Sequence, residues 1–564
     1  MADDQVVVEI ARRGKLTVGE PYFTPGVPLV LERRGLGDAR PGQLAVVRKG
    51  RGRARLERVL GSAKTIEPVL EGLLVEEGMR DAFEPYAAPE PELDGRADLR
   101  ELLTFTIDPE TAKDFDDAIS VRREGDGLRA WVHIADVSFF VAAGSPLDHG
   151  AARRSCSVYV PGRVAPMLPP QLADDLCSLR PNQDRLSVTV EIAFDGALQP
   201  AEPSFYRSVI RSDERLTYGR VEAVLAGEER VPAELSEALQ LAERLALELR
   251  RRRFARGALR IETGEIAFEF DGRGGVAGAR RESEPHAHAL VEELMILANE
   301  AVAGLLAGRR REALYRVHER PEPQAVELLL AKLGDLDVPT PPAPEAERLT
   351  PSDATALAAN ASERVSEYVA QSGRGREAFP ALVLRALKQA RYDPRNLGHS
   401  GLASRAYCHF TSPIRRYPDL VCHRALLREL DAGDDPLPEE LAGLAEHSSL
   451  AERGATAIEY RADEICLAWL LEARLFELGW DAVFEGEIIG LVGSGLFVRF
   501  EDVFEGFLPA RRLPGDYFEL NPLATALVGR RGGRSHRLGD PIEVRVEGIE
   551  RAAGRVEVAP ADPA

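Results

Sequence analysis

The sequence is poor in cysteine, in lysine and in long apolar runs, and each shortage excludes something. Its 564 residues hold five cysteines, Cys156, Cys177, Cys408, Cys422 and Cys466, with no pair at metal-ligand spacing. That usage fits a reducing cytoplasm. Apolar runs such as residues 301–308 fall far below the ~20 residues of a membrane span, so no membrane partner is expected. The first thirty residues contain Asp3, Asp4, Glu9, Arg12 and Arg13 but no apolar stretch of the signal-peptide kind. Lysine occurs only at 15, 49, 64, 113, 332 and 388, so nearly every cation is arginine. Its planar fork suits phosphates, although a GC-rich genome would favour the same codons. Positive charge is also short overall, and the formal net charge is −20. That argues against a polyanion partner unless an acidic exterior encloses a basic channel. Global charge alone decides nothing.

At this length one core is too few, and roughly three or four domains are expected. Residues 6–10, 28–32 and 44–47 read as short strands, followed by a basic stretch at 48–58 and a further segment at 66–75. This resembles a small barrel. The Pro-rich run 85–91 is a linker. From about residue 95 to 480, strands (130–137, 186–194) alternate with helices (232–253, 287–306, 380–391), with a Pro-rich loop at 338–344. The tail, 483–558, returns to five short strands with Gly-rich turns, the pattern of a small closed barrel.

The most informative stretch is TIDPETAKDFDDAI, residues 106–119, which holds Asp108, Asp114, Asp116 and Asp117. In extended chain Asp114 and Asp116 share a face, and Pro109 favours a bend that returns Asp108 towards them. Four converging carboxylates repel one another and raise each other's pKa unless a cation neutralises them. Hard oxygen ligands suit Mg²⁺ or Mn²⁺. A solvated acidic turn would have the same letters, and the EF-hand spacing with its central Gly is absent. Spacing alone leaves the choice open.

The context narrows it. TIDPETAKDFDDAI followed by WVHIADVSFFV resembles the signature of the RNB family, the RNase II and RNase R exoribonucleases. The likeness continues through residues 157–185, 288–299 (HALVEELMILAN) and 387–424, which includes CHFTSPIRRYPDL. The resemblance implies an α+β chain in which a central mixed α/β RNB catalytic domain is flanked by small OB-fold barrels that bind RNA. It implies Mg²⁺, with Mn²⁺ as a substitute, held by Asp108, Asp114 and Asp117. Asp116 and Arg415 would be catalytic, with Arg415 gripping the scissile phosphate and Arg416 the weaker candidate for RNA contact. Tyr159 matches the aromatic residue that stacks on the 3′-terminal base, and Glu292 or Glu293 would contact RNA sugars. One departure stands out: Ile261 occupies the position where the family usually completes an aromatic clamp with Phe, unless Phe268 or Phe270 substitutes. The implied activity is processive 3′→5′ hydrolysis of single-stranded RNA to nucleoside 5′-monophosphates by a cytoplasmic monomer.

The tail resembles the OB-type RNA-binding barrel first described in ribosomal protein S1. Phe497, Phe500 and Phe507 lie where such barrels display aromatics, and Arg511, Arg512, Arg530, Arg531, Arg534 and Arg537 would give it a basic side. The expected domains are 1–85, a single OB or cold-shock-like barrel with a winged helix as the alternative, then 86–480, the catalytic unit, and 481–564, the C-terminal barrel.

Overall fold

The computed structural model describes residues 4–561 except 80, 81, 84, 261–263, 265, 282–284 and 343–345. At the N-terminus, strands Gln5–Arg13, Leu16–Pro21, Leu29–Val30, Gln43–Arg48 and Arg55–Ser62 form one sheet in the order third, second, first, fourth, fifth. Period-two alternation sends Val8 and Ile10 to one face with Ala45 and Val47, and Val7 and Leu44 to the other. A bridge between Leu31 and Ala54 joins the two edges: Glu32 donates to the Ala54 carbonyl at 2.9 Å and Ala54 to that of Val30 at 2.8 Å. The sheet thus curls back on itself, and the same bridge sets the loop carrying Arg33 and Arg34 beside the loop carrying Lys49, Arg51 and Arg53. All five side chains are exposed and, among the described residues, form no ion pair. Residues 66–75 are helical, within Ile66–Glu76. Ile66, Val69, Leu70, Leu73 and Leu74 recur at helical spacing and are all buried, so the apolar face decides against a further strand.

The centre is a seven-stranded sheet with its strands in the order Glu214–Thr217, Phe105–Asp108, Asp117–Glu124, Gly127–Ala135, Asp184–Phe194, Ser204–Arg211, Ala97–Asp98. The middle strands pair antiparallel and the two outermost pair parallel. Helices Ala233–Ala255 and Pro285–Gly308 cover one face, burying Leu239, Leu245, Leu290 and Leu294 against Ile119, Val132 and Val190. Each such leucine contributes about 1.5–3 kcal/mol over leaving it in water. A helical arm, Pro323–Asp335, Pro351–Ser372 and Ala378–Arg385, packs on its own core. The helix read at 380–391 therefore ends at Arg385. Beyond it, Arg391–Asp393 pairs antiparallel with Tyr315–Val317, and this tertiary pairing outweighs local helix propensity.

One helix of 38 residues, Leu441–Leu478, runs past every unit and touches the N-terminal helix, the sheet region and the C-terminal barrel. That barrel is closed by Val483–Val492, Gly495–Phe500, Phe504–Pro509, Arg555–Pro560 and Pro541–Glu550. It is fastened to the helical arm. The Glu487 carboxylate accepts the amides of Arg376, Glu377 and Ala378 at 2.9–3.2 Å, filling the otherwise unmet donors where helix Ala378–Arg385 begins. Arg374 pairs with Asp540 at 2.9 Å, and Phe379 lies where a Cβ on Gly539 would come within 2.7 Å of its ring. Among the described residues no helix is long and apolar enough to cross a membrane, and the five cysteines are free thiols.

Candidate active site

Asp108 ends one strand and Asp117 begins its antiparallel neighbour, so the loop between them must turn tightly back. Ala112 closes a turn onto the carbonyl of Pro109, at 3.1 Å. Arg215, from the parallel edge strand, donates to the carbonyls of Pro109 (2.6 Å) and Glu110 (2.8 Å). The Ser178 hydroxyl donates to the Lys113 carbonyl at 2.7 Å and accepts the Phe115 amide at 3.0 Å. The loop is pinned from three sides. That arrangement brings Asp108, Asp116 and Asp117 together under cover.

Asp116 is 4% exposed. Its Oδ1 accepts the Ile414 amide at 2.8 Å, and its Oδ2 has the Arg415 Nε 3.7 Å away. Burial pushes its carboxyl well above the usual range, and Arg415 pulls it back. Burial, then the charge of Asp117, pushes Asp108 up to about 8. Burial pushes Asp117 up to about 6 against the pull of Arg415 and Arg416. A cation would relieve all three. Asp108 Oδ2 and Asp116 Oδ2 are buried without a hydrogen-bond partner, as acceptors awaiting one would be. The donor set, hard carboxylate oxygens, fits Mg²⁺ or Mn²⁺. Even so, no three His, Cys, Asp or Glu side chains among the described residues stand close enough to enclose an ion as they are. Asp114 is engaged by a side chain: its Oδ2 accepts the Tyr159 hydroxyl at 2.6 Å.

The neighbouring candidates separate cleanly. Arg416 is held by both oxygens of Asp419, at 2.7 and 2.9 Å, and Asp419 also takes the Ser412 amide at 2.8 Å. This ties down the TSPIRRY turn and leaves Arg415, 46% exposed, to face Asp116. Glu293 is 2% exposed and consumed by an ion pair with the buried Arg253 at 2.5 Å. Glu292, 49% exposed, lines the cavity and is itself 3.2 Å from Arg253. Ile261 lies outside the described residues. Phe268 and Phe270 line the same cavity, and Phe270 rests against the Gly162 turn of the hairpin that carries Tyr159.

The aspartates form the floor of a cavity of about 3040 Å³ that extends between the sheet, helices Pro285–Gly308 and Leu441–Leu478, and the C-terminal barrel. Its wall is not basic: fifteen acidic side chains line it against nine of Lys and Arg. The expectation of an enclosed basic channel is corrected, because acidic side chains outnumber basic ones along the wall. Aromatic rings do line it, including Phe497 and Phe507, whose centroids are 5.1 Å apart. Phe500 is buried in the barrel core against Phe484 and Phe504. Of the barrel's arginines, Arg512 pairs with Glu547 and Glu557, Arg530 with Glu519 and Arg537 with Asp337.

A family model of the RNB domain matches residues 96–432, and one of the S1 RNA binding domain matches residues 477–559. The chain belongs to the RNB family. It is 36% identical over 490 residues to Ribonuclease R of Escherichia coli (strain K12), a match covering 83% of this chain and 58% of that one. With Ribonuclease R of Thermotoga maritima it shares 35% over 503 residues, covering 86% and 68%. The apo form of Mycoplasma genitalium RNase R is similar in structure, with a TM-score of 0.85 and 26% identity over 99% of this chain and 89% of that one. That Mycoplasma protein has also been solved with ribose-methylated single-stranded RNA. This RNB-family chain thus spans less than two thirds of the length of its E. coli relative.

Sequence reasoning missed the residues that support the site. Ser178 lay inside a motif whose likeness was noted, but nothing local announces that its hydroxyl anchors a loop 63 residues earlier. Arg215, and Glu459, whose Oε1 accepts the Tyr159 amide at 2.8 Å, carry no signal in one sequence. Asp419 could have been found, since Arg416 and Asp419 sit three apart at the start of a helix.

Proposed function

We propose that this chain is a metal-dependent exoribonuclease that removes nucleoside 5′-monophosphates processively from the 3′ end of single-stranded RNA. The observation that carries the reading is Arg415 standing 3.7 Å from Asp116 on the floor of a deep, aromatic-lined cavity. A floor whose acid is almost wholly buried is reached by the end of a strand more easily than by its middle. This supports cutting from an end, and the resemblance supplies the direction.

A bound Mg²⁺ or Mn²⁺ would be held by Asp108, Asp114 and Asp117 and would supply charge neutralisation and Lewis acidity at the phosphodiester. Asp116, fixed by the Ile414 amide, orients the reacting groups. Arg415 presents its guanidinium to the scissile phosphate, where donors aimed at developing charge count most. Tyr159 and Phe270 offer ring faces to the terminal bases, a sequence-tolerant grip, and Glu292 is placed for sugar hydroxyls. The units 1–85 and 481–564 would guide the strand towards the catalytic unit 86–480, with the protein acting as a cytoplasmic monomer.

The test is RNA labelled at its 5′ end, incubated with and without Mg²⁺. Full-length RNA should give way to one short end product, only when the ion is present. A ladder of short products from the first time point would mean internal cutting, and binding without any cutting would mean an idle RNA-binding protein.

A further inference from the structure

Asp114 is the exception among the four aspartates. Asp108 and Asp116 each bury an oxygen that has no hydrogen-bond partner, whereas Asp114 Oδ2 accepts the Tyr159 hydroxyl at 2.6 Å. Tyr159 is itself fixed. It sits on the hairpin of Val158–Val160 and Arg163–Ala165, and its amide donates to Glu459 Oε1, on the long helix, at 2.8 Å. The ring lines the cavity, so the hydroxyl that engages Asp114 belongs to a residue with a face open to the strand. No three acids among the described residues converge enough to enclose an ion, and Asp114 is the one held by the Tyr159 hydroxyl.

We propose that Tyr159 is a positioning residue that latches Asp114 away from the other carboxylates, so that capture of a divalent ion requires the latch to open, and that a base settling on the Tyr159 ring opens it. The inference rests on the functional reading above and adds to it an order of events. A hydrogen bond to an ionised carboxylate is among the stronger kinds, and an ion competing for Asp114 must break it. If RNA opens the latch, RNA raises ion affinity and the ion raises RNA affinity by the same factor.

The experiment measures Mn²⁺ uptake by electron paramagnetic resonance in the whole protein, as wild type, Tyr159→Phe, Asp114→Asn and the double variant. Tyr159→Phe keeps the ring and removes the latch, so Mn²⁺ affinity should rise about tenfold, the scale of a hydrogen bond to a charged group. In the Asp114→Asn background the same substitution should give no gain. A short RNA with a non-hydrolysable terminal linkage should raise the affinity of the wild type more than that of Tyr159→Phe. An unchanged or lower affinity in Tyr159→Phe, or a gain that survives in Asp114→Asn, overturns the latch. Two failures can be told apart. If the wild type cuts RNA in Mn²⁺ but Tyr159→Phe binds the ion no better, only the latch falls. If the wild type neither takes up Mn²⁺ nor cuts RNA, the functional reading falls and the latch with it.

Discussion

The floor of the cavity and the loops of the N-terminal sheet carry charge of opposite sign, in opposite surroundings. At the floor, Asp116 is almost wholly buried, and burial pushes the carboxyls of Asp108, Asp116 and Asp117 towards neutrality. On the loops of the N-terminal sheet, Arg33, Arg34, Lys49, Arg51 and Arg53 are exposed and unpaired among the described residues. Buried charge of one sign is costly and is kept where chemistry or an ion needs it. Exposed charge costs little and acts at a distance, steering a polyanion. The net charge of −20 averages these two regions and describes neither. On the proposed function, grip and chemistry are separable, and each can be broken without the other.

The largest effect should come from Asp116→Asn. Turnover should fall by about a thousandfold or more, while RNA affinity stays within a few-fold, as measured by single-turnover cleavage and filter binding. Near-native cleavage would show that the floor is not where the chemistry resides. Arg415→Ala should follow at about a hundredfold, the usual loss for one donor aimed at developing charge. If its whole effect appears in binding instead, Arg415 belongs with the grip.

On the other side of the comparison, changing Arg33, Arg34, Arg51 and Arg53 to Gln should flatten the salt dependence of RNA binding. The slope of log affinity against log salt should shrink by about 3, since each phosphate contact on a single strand accounts for ~0.7. Turnover of bound RNA should hold. An unaltered slope would place the salt-sensitive contacts elsewhere and return the acidic-walled cavity to consideration. The smallest change is Phe497→Ala on the C-terminal barrel, where one lost stack weakens binding by about 1–3 kcal/mol without altering the salt slope. A changed slope there would mean that the C-terminal barrel and the N-terminal sheet grip in the same way.

Much of this was legible in the sequence, and the rest was hidden for physical reasons. The aspartate cluster, Arg415 and Tyr159 were singled out through the resemblance to the RNB family, not by spacing alone, and they line one cavity. The β-rich ends could be read from period-two patterning and glycine turns. The 66–76 helix was harder, because a short apolar run suits strand or helix until its partner, the long helix, is known. Glu292 and Glu293 both meet Arg253 on another helix and differ in exposure, which one sequence does not display. Ser178 and Arg215 act through backbone carbonyls that have no sequence signature. The sign of the cavity wall was beyond reach, since it depends on which faces of six or more elements meet.

The carboxylate of Glu487, seated on the first amides of helix Ala378–Arg385, has a consequence for length. With Arg374–Asp540 and the close approach of Gly539 to Phe379, it fastens the barrel to the helical arm. Phe497 on that barrel and Asp116 line the same cavity. On the proposed function, a strand that touches both must have a minimum length, and it would let go of Phe497 at one particular number of nucleotides. Loosening Glu487 would blur that number before it slowed a single cut.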